Sequence, residues 1–205
     1  MKPYALMLGA VVVLAGCASE PNVYYTLTAP IGQQSQSALS QPVGPYTIGP
    51  VVVPAQVDDS MLVVRRNADE LIKLAHDRWS APLGKQIDNA LAVQLTHLLG
   101  APPLSRAQAA ASTEQVSHLT LDVRRFDLVP AQYAALSVVW QIAPPAGATQ
   151  PPRLMCYTEL REAVSAGVAP LVQAQQLNIN RLAQTIGQAW SGGPLDSHTR
   201  CQSVS

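Results

Sequence analysis

The sequence predicts an α+β fold, a mostly antiparallel sheet with two helices packed on one face, and three observations carry that reading. After residue 116, three runs alternate apolar and polar residues with the period of a strand. Two longer stretches, each opened by a proline, repeat apolar residues every three or four positions, the period of a helix. The strands also come in blocks instead of alternating singly with helices, which argues against a parallel sheet built from βαβ units.

In chain order, "YYTL" (Tyr24 to Leu27) reads as a short strand, and the polar, Pro/Gly-punctuated "IGQQSQSALSQPVGP" as a loop. "YTIGPVVVP" and "MLVVRR" are β-branched runs parted by "AQVDDS", which predicts two strands and a turn. "ELIKLA" continues as a strand into "HDRWSAPL". Pro82 suits a first helical turn because its missing N–H has no partner to lose there. From it, Leu83, Ile87, Leu91, Leu95 and Leu98 make one apolar face up to Leu99, and Gly100 with Pro102-Pro103 stops the helix. "AQAAAST" is a small-residue link with partial helix.

The alternating runs follow. "SHLTLDV" sets Leu119, Leu121 and Val123 on one face; Arg124-Arg125 then break the alternation before Phe126 and Leu128, which predicts a bulge or an edge. "YAALSVVWQI" gathers Ala134, Leu136, Val138, Trp140 and Ile142. Beyond the loop "APPAGATQPP", "RLMCYTELRE" opposes Leu154, Cys156, Thr158 and Leu160 to Met155 and Tyr157. Pro170 opens the second helix, striped by Leu171, Gln175, Ile179, Leu182, Ile186 and Trp190 and ended by Gly192-Gly193-Pro194.

The amino terminus carries a different signal. Lys2 is followed by an uncharged, mostly apolar run from Tyr4 to Ala15, too short for the about 20 residues of a bilayer span. It has the plan of a secretory signal peptide. Leu14-Ala15-Gly16-Cys17 resembles the lipobox of bacterial lipoproteins. That resemblance implies cleavage before Cys17, a diacylglycerol thioether on its sulfur and acylation of the new amino terminus; the alternative is a plain signal peptide with an incidental cysteine. Ala18 and Ser19 after the cysteine, in place of an aspartate, imply sorting to the inner leaflet of the outer membrane. The expected organisation is a removed leader (1–16), a lipidated cysteine and tether with a short strand (17–45), one domain (46–191) and a tail (192–205).

Thirteen basic and thirteen acidic residues balance, so the chain lacks the electrostatic footprint of a nucleic-acid binder. Charged residues are 13% of the chain, against about 25% in average soluble proteins, which suggests a surface partly covered by partners or by copies of itself. Beyond Cys17 only Cys156 and Cys201 remain. Export would place them where disulfides persist, so an intrachain Cys156–Cys201 bond is the expected reading, with two free thiols or bonds between chains as the alternatives.

No catalytic constellation emerges. "WSGG" and "RWSAP" lack the framing of a nucleophilic serine. His76, His97, His118 and His198 are too scattered for a metal site, and Asp58-Asp59 read as turn acids facing water. The glycines form no phosphate cradle. Neither enzyme activity nor a metal or other cofactor is expected. Two features carry an interface reading beside a structural one. Arg65-Arg66 and Arg124-Arg125 are paired cations at strand ends, either solvated or set to meet lipid phosphates or an acidic partner. Trp79, next to Arg78, either anchors a partner, as tryptophan and arginine often do, or closes the core beneath the first helix.

Lipobox, "YYTL", "IGPVVVPAQVDDSMLVVRR", "HDRWSAPLGKQIDNALAVQL", "LTLDVRRFDLVP" with "ALSVVW", and "LVQAQQLNINRLAQTIGQA" follow in an order that resembles the ABC-type transport auxiliary lipoproteins, the PqiC/YmbA-like group. The likeness runs from Tyr24 to about Trp190. It departs at Asp59-Ser60, where many relatives have arginine and proline, and in the tail with Cys201. The resemblance implies a non-catalytic, outer-membrane accessory subunit of an intermembrane lipid transport system. Its partners would be an MCE-domain protein acting as conduit, and an inner-membrane ABC permease and ATPase, with phospholipid as cargo. The alternative is a structural envelope lipoprotein that stabilises another periplasmic complex. The spacing leaves homo-oligomerisation open.

Overall fold

The computed structural model describes residues 20–28, 43–145 and 153–204, so Cys17 and the leader lie outside the described residues. Among these, the elements run β1 (Val23–Tyr25), β2 (Tyr46–Ile48), β3 (Met61–Arg65), β4 (Leu71–Trp79), α1 (Leu83–Leu99), α2 (Arg106–Ala111), β5 (Ser117–Val129), β6 (Tyr133–Ala143), β7 (Arg153–Ala163), α3 (Val168–Trp190) and β8 (Thr199–Val204). The class is α+β, but the strands form two sheets where one was expected: β1-β4-β3 and β2-β5-β6-β7-β8. Both are mixed, because β1 lies parallel to β4 and β2 parallel to β5. Antiparallel pairs dominate, joining β3 to β4 and β5 through β8 in series.

Local periodicity accounts for most of the elements. Leu119, Leu121 and Val123 are buried on β5, and Ala134, Leu136, Val138, Trp140 and Ile142 on β6. The break at Arg124-Arg125 is a register shift between Val123 and Arg125, which favours the bulge over the edge, the two readings of the lost alternation. The first helix is capped at Pro82 and ends on Gly100, whose φ of 75° is the left-handed conformation that favours glycine. The second long helix begins at Val168, two residues before Pro170, which sits within its first turn. Ser105 and Gln108 form a reciprocal capping box that starts α2, the partial helix of "AQAAAST".

The two long helices pack on each other, and α3 crosses β6 and β7. Leu83, Ile87, Leu91 and Leu95 of α1 and Leu171, Ile179, Leu182 and Ile186 of α3 join the core with the inner face of the larger sheet. Residues 192–205, expected as a tail, include β8, which extends that sheet by pairing with β7. Position by position, Leu121 faces Trp140, Trp140 faces Cys156, and Cys156 faces Cys201 across it. No helix among the described residues is long and apolar enough to cross a membrane.

Candidate functional site

Asp127 organises the junction of the two sheets. It lies on β5 and is 4% exposed, a depth at which an unpaired carboxylate is costly. Arg65 of β3 reaches one carboxylate oxygen at 3.2 Å, and Arg125 donates to the other through Nε. The hydrogen bond to Asp127 holds the Arg125 guanidinium pKa above its usual value. The same arginine reaches the Tyr133 hydroxyl at 3.3 Å, and Arg161 stacks over the Tyr133 ring at 3.6 Å. From the helix layer, Gln175 Nε2 donates to the carbonyls of Asp127 and Ala135 at 3.1 and 2.9 Å. Sequence reasoning missed Asp127, because "RRFDLV" reads as a solvated strand end. The available signal was one acid two residues beyond an arginine pair, in a strand with bulky apolar residues on both sides.

The arginine candidates therefore divide. Arg65 and Arg125 converge on Asp127: Arg65 ties the smaller sheet to the larger, and Arg125 braces the carboxylate from its own strand. Arg66 pairs with Glu70 at 2.9 Å and Arg124 with Asp122 at 2.7 Å, both on the surface. Arg78 donates through Nε to Asn22 Oδ1 at 3.2 Å, beside β1. Trp79 is 4% exposed and meets Phe126 edge-on at 6.1 Å, so its ring closes the core and offers no surface to a partner. Asp58 and Asp59 do not converge as a catalytic pair. The hydrogen bond from Lys73, with one from the Met61 N–H, holds the Asp59 carboxyl pKa below its usual value.

The amino-terminal edge is built by glutamine bridges. Gln86 of α1 accepts from the Leu27 N–H at 3.0 Å and from Thr26 Oγ1 at 3.1 Å, and donates to Ser80 at 2.6 Å. Gln176 of α3 donates to the Thr26 carbonyl at 2.9 Å. The segment behind β1 is thus fastened to both long helices, with Leu27 buried and Tyr24 bare. An open cleft of about 570 Å³ lies between Ile48–Val53 and the start of α1, lined also by Lys85, Asp88 and Arg106. At the opposite edge of the larger sheet, a disulfide joins Cys156 to Cys201 with Cα atoms 4.1 Å apart. Among the described residues no three His, Cys, Asp or Glu side chains gather as a metal site.

This architecture recurs in solved proteins. One, described only as an uncharacterized protein, has a TM-score of 0.63 at 16% identity over 83% of this chain and 99% of its own. A Xanthomonas campestris protein of the DUF330 family has a TM-score of 0.59 at 13% identity over 82% and 95%. At such identities the likeness is one of fold. No curated protein matches the sequence. A family model described as ABC-type transport auxiliary lipoprotein component, however, matches residues 25–187, from the end of β1 to the last turns of α3. With that span of sequence matched, the chain belongs to the family of ABC-type transport auxiliary lipoprotein components.

Proposed function

We propose that the protein is the outer-membrane accessory subunit of an intermembrane lipid transport system, held at the periplasmic face by an acylated Cys17. There it docks the far end of an MCE-domain conduit served by an inner-membrane ABC permease and ATPase. One observation carries the reading: the match to a transport auxiliary lipoprotein family covers nearly the whole folded chain and begins close behind Cys17. The role asked of the chain is to hold, not to react, in keeping with a family of transport auxiliary components. Its construction suits a rigid support. Asp127 joins the two sheets, Gln175 fastens α3 to the β5–β6 hairpin, and a disulfide closes the outer edge.

Ala18 and Ser19 after the acylated cysteine support the outer-membrane side of the proposal. The test is recovery of the intact acylated protein from cross-linked envelopes, with mass spectrometry of what accompanies it. An MCE-domain protein and phospholipid are expected. Recovery of a secretion or cell-wall assembly, without MCE protein or permease, overturns the proposal in favour of a structural envelope lipoprotein.

A further inference from the structure

Tyr24 is 63% exposed and Val23 beside it 47%, among the barest large apolar side chains of the described residues. Both belong to β1, an outer strand of the three-stranded sheet. Exposed apolar residues scattered singly need no explanation; what distinguishes these two is where the chain leads. Upstream of β1 the chain already runs along β4, with Glu20 Oε2 3.7 Å from His76 Nε2 and Asn22 Oδ1 accepting from Arg78 at 3.2 Å. Only three residue steps separate Glu20 from Cys17, at most about 11 Å of extended chain. The polar zone of one leaflet is itself about 5–7 Å deep. Acyl chains seated in the hydrocarbon therefore leave only a few ångströms between the bilayer surface and the edge of the domain.

Two orientations satisfy so short a leash. With β1 upright, Tyr24 stands in water above the headgroups. With β1 flat, Tyr24 enters the boundary between headgroups and acyl chains, where an amphipathic tyrosine ring is favoured, while Val23 points to the other face of the strand. Arg78 is the register partner of Tyr24 in the parallel pairing, so the two lie side by side. Its Nε is taken by Asn22, and its terminal nitrogens bond nothing among the described residues, which leaves them for a phosphate.

We infer that the face of β1 and β4 that carries Tyr24 and Arg78 lies on the phospholipid bilayer, Tyr24 in its interface and Arg78 against a lipid phosphate, so that the domain keeps one orientation on its anchor. This deepens the proposed function and rests on its acylation of Cys17. The experiment uses full-length protein whose acylation is verified by mass spectrometry, reconstituted in phosphatidylethanolamine–phosphatidylglycerol vesicles. Spin labels are placed by Tyr24→Cys and, as an exposed reference beyond α2, by Glu114→Cys, and collisions with oxygen and with a water-soluble nickel chelate are compared. A several-fold higher oxygen-to-nickel ratio at 24 than at 114, lowered by Arg78→Glu, is expected. A water-like ratio at both sites on acylated, vesicle-bound protein overturns the inference while leaving the anchor intact. So does a label at 24 shielded from both reagents, since a second copy or a partner protein then covers β1. Protein that carries no acyl chains, or fails to float with the vesicles, refutes the anchor itself and this orientation with it.

Discussion

Sixty-two residues separate Arg65 from Asp127, yet their contact is among the consequential polar pairs of the fold. The Asp127 carboxylate is buried and Arg65 is 20% exposed, so neither group is well served by water when the other is removed. Asp127 retains Arg125, which tempers the loss. Arg65→Ala is expected to cost about 1.5–3 kcal/mol, the range for a hydrogen bond to a charged group. Arg66→Ala, which breaks a surface pair, is expected to cost under about 1 kcal/mol. Urea midpoints of the two variants check this, and equal shifts would show that the junction does not depend on the buried pair. Tyr46 supplies a pH signature. Its phenol is buried, donates to the Ala101 carbonyl at 3.1 Å, and is pushed up to about 12 by that burial. The folded state thus holds the proton more tightly than the unfolded chain, whose tyrosine titrates near pH 10. The associated stability is complete below about pH 10 and is lost as pH rises towards 12. Unfolding free energies measured across that interval should fall in wild type and fall less steeply in Tyr46→Phe.

At the scale of elements, α1 meets the strand segment after β2 without clearance. A Cβ on Gly84 would stand 2.9 Å from the Val51 carbonyl oxygen, a backbone atom that cannot rotate away. Alanine is the better helix former by about 1 kcal/mol, but overpacking costs about 1–3 kcal/mol. Gly84→Ala should therefore lower the melting temperature, and a raised one would mean that helix and segment can separate. At the other edge, β8 pairs with β7 and is cross-linked to it by Cys156 and Cys201. Closing a loop with a sequence separation of 45 contributes about 4 kcal/mol in the chain-entropy model. Maleimide should find neither thiol in unreduced protein, and the double variant Cys156→Ser/Cys201→Ser should show faster deuterium uptake in β8. Unchanged uptake would mean that strand pairing alone holds the edge.

For the whole molecule, the proposed anchor stands at Cys17, and the described core is built from β1 onward. Cys17→Ser should therefore move the protein from membrane to soluble fractions of the envelope while its thermal transition stays in place. Retention at the membrane would point to a second attachment. The surface candidates follow the same division. Arg65, Arg125 and Trp79 are spent on internal structure, and Arg66 and Arg124 are paired with nearby acids. Arg78 lies beside the bare Tyr24, its register partner on β1.

The sequence by itself determined the elements whose signal is local. Apolar stripes in α1 and α3, alternation in β5, β6 and β7, and the bulge after Val123 all follow from side-chain period, which a few consecutive residues express. The order of motifs that marks the family was legible in the same way, as contiguous patterns. Tertiary structure alone decided the division into two sheets, because β1 and β2 find parallel partners far along the chain and three-residue strands carry no register of their own. It also decided which polar residues are internal. Whether Asp127 faces water or two arginines depends on what packs over β5, and β3 is laid there by a chain segment sixty residues away. Burial is a property of neighbours brought together in space, and short-range sequence pattern does not record them.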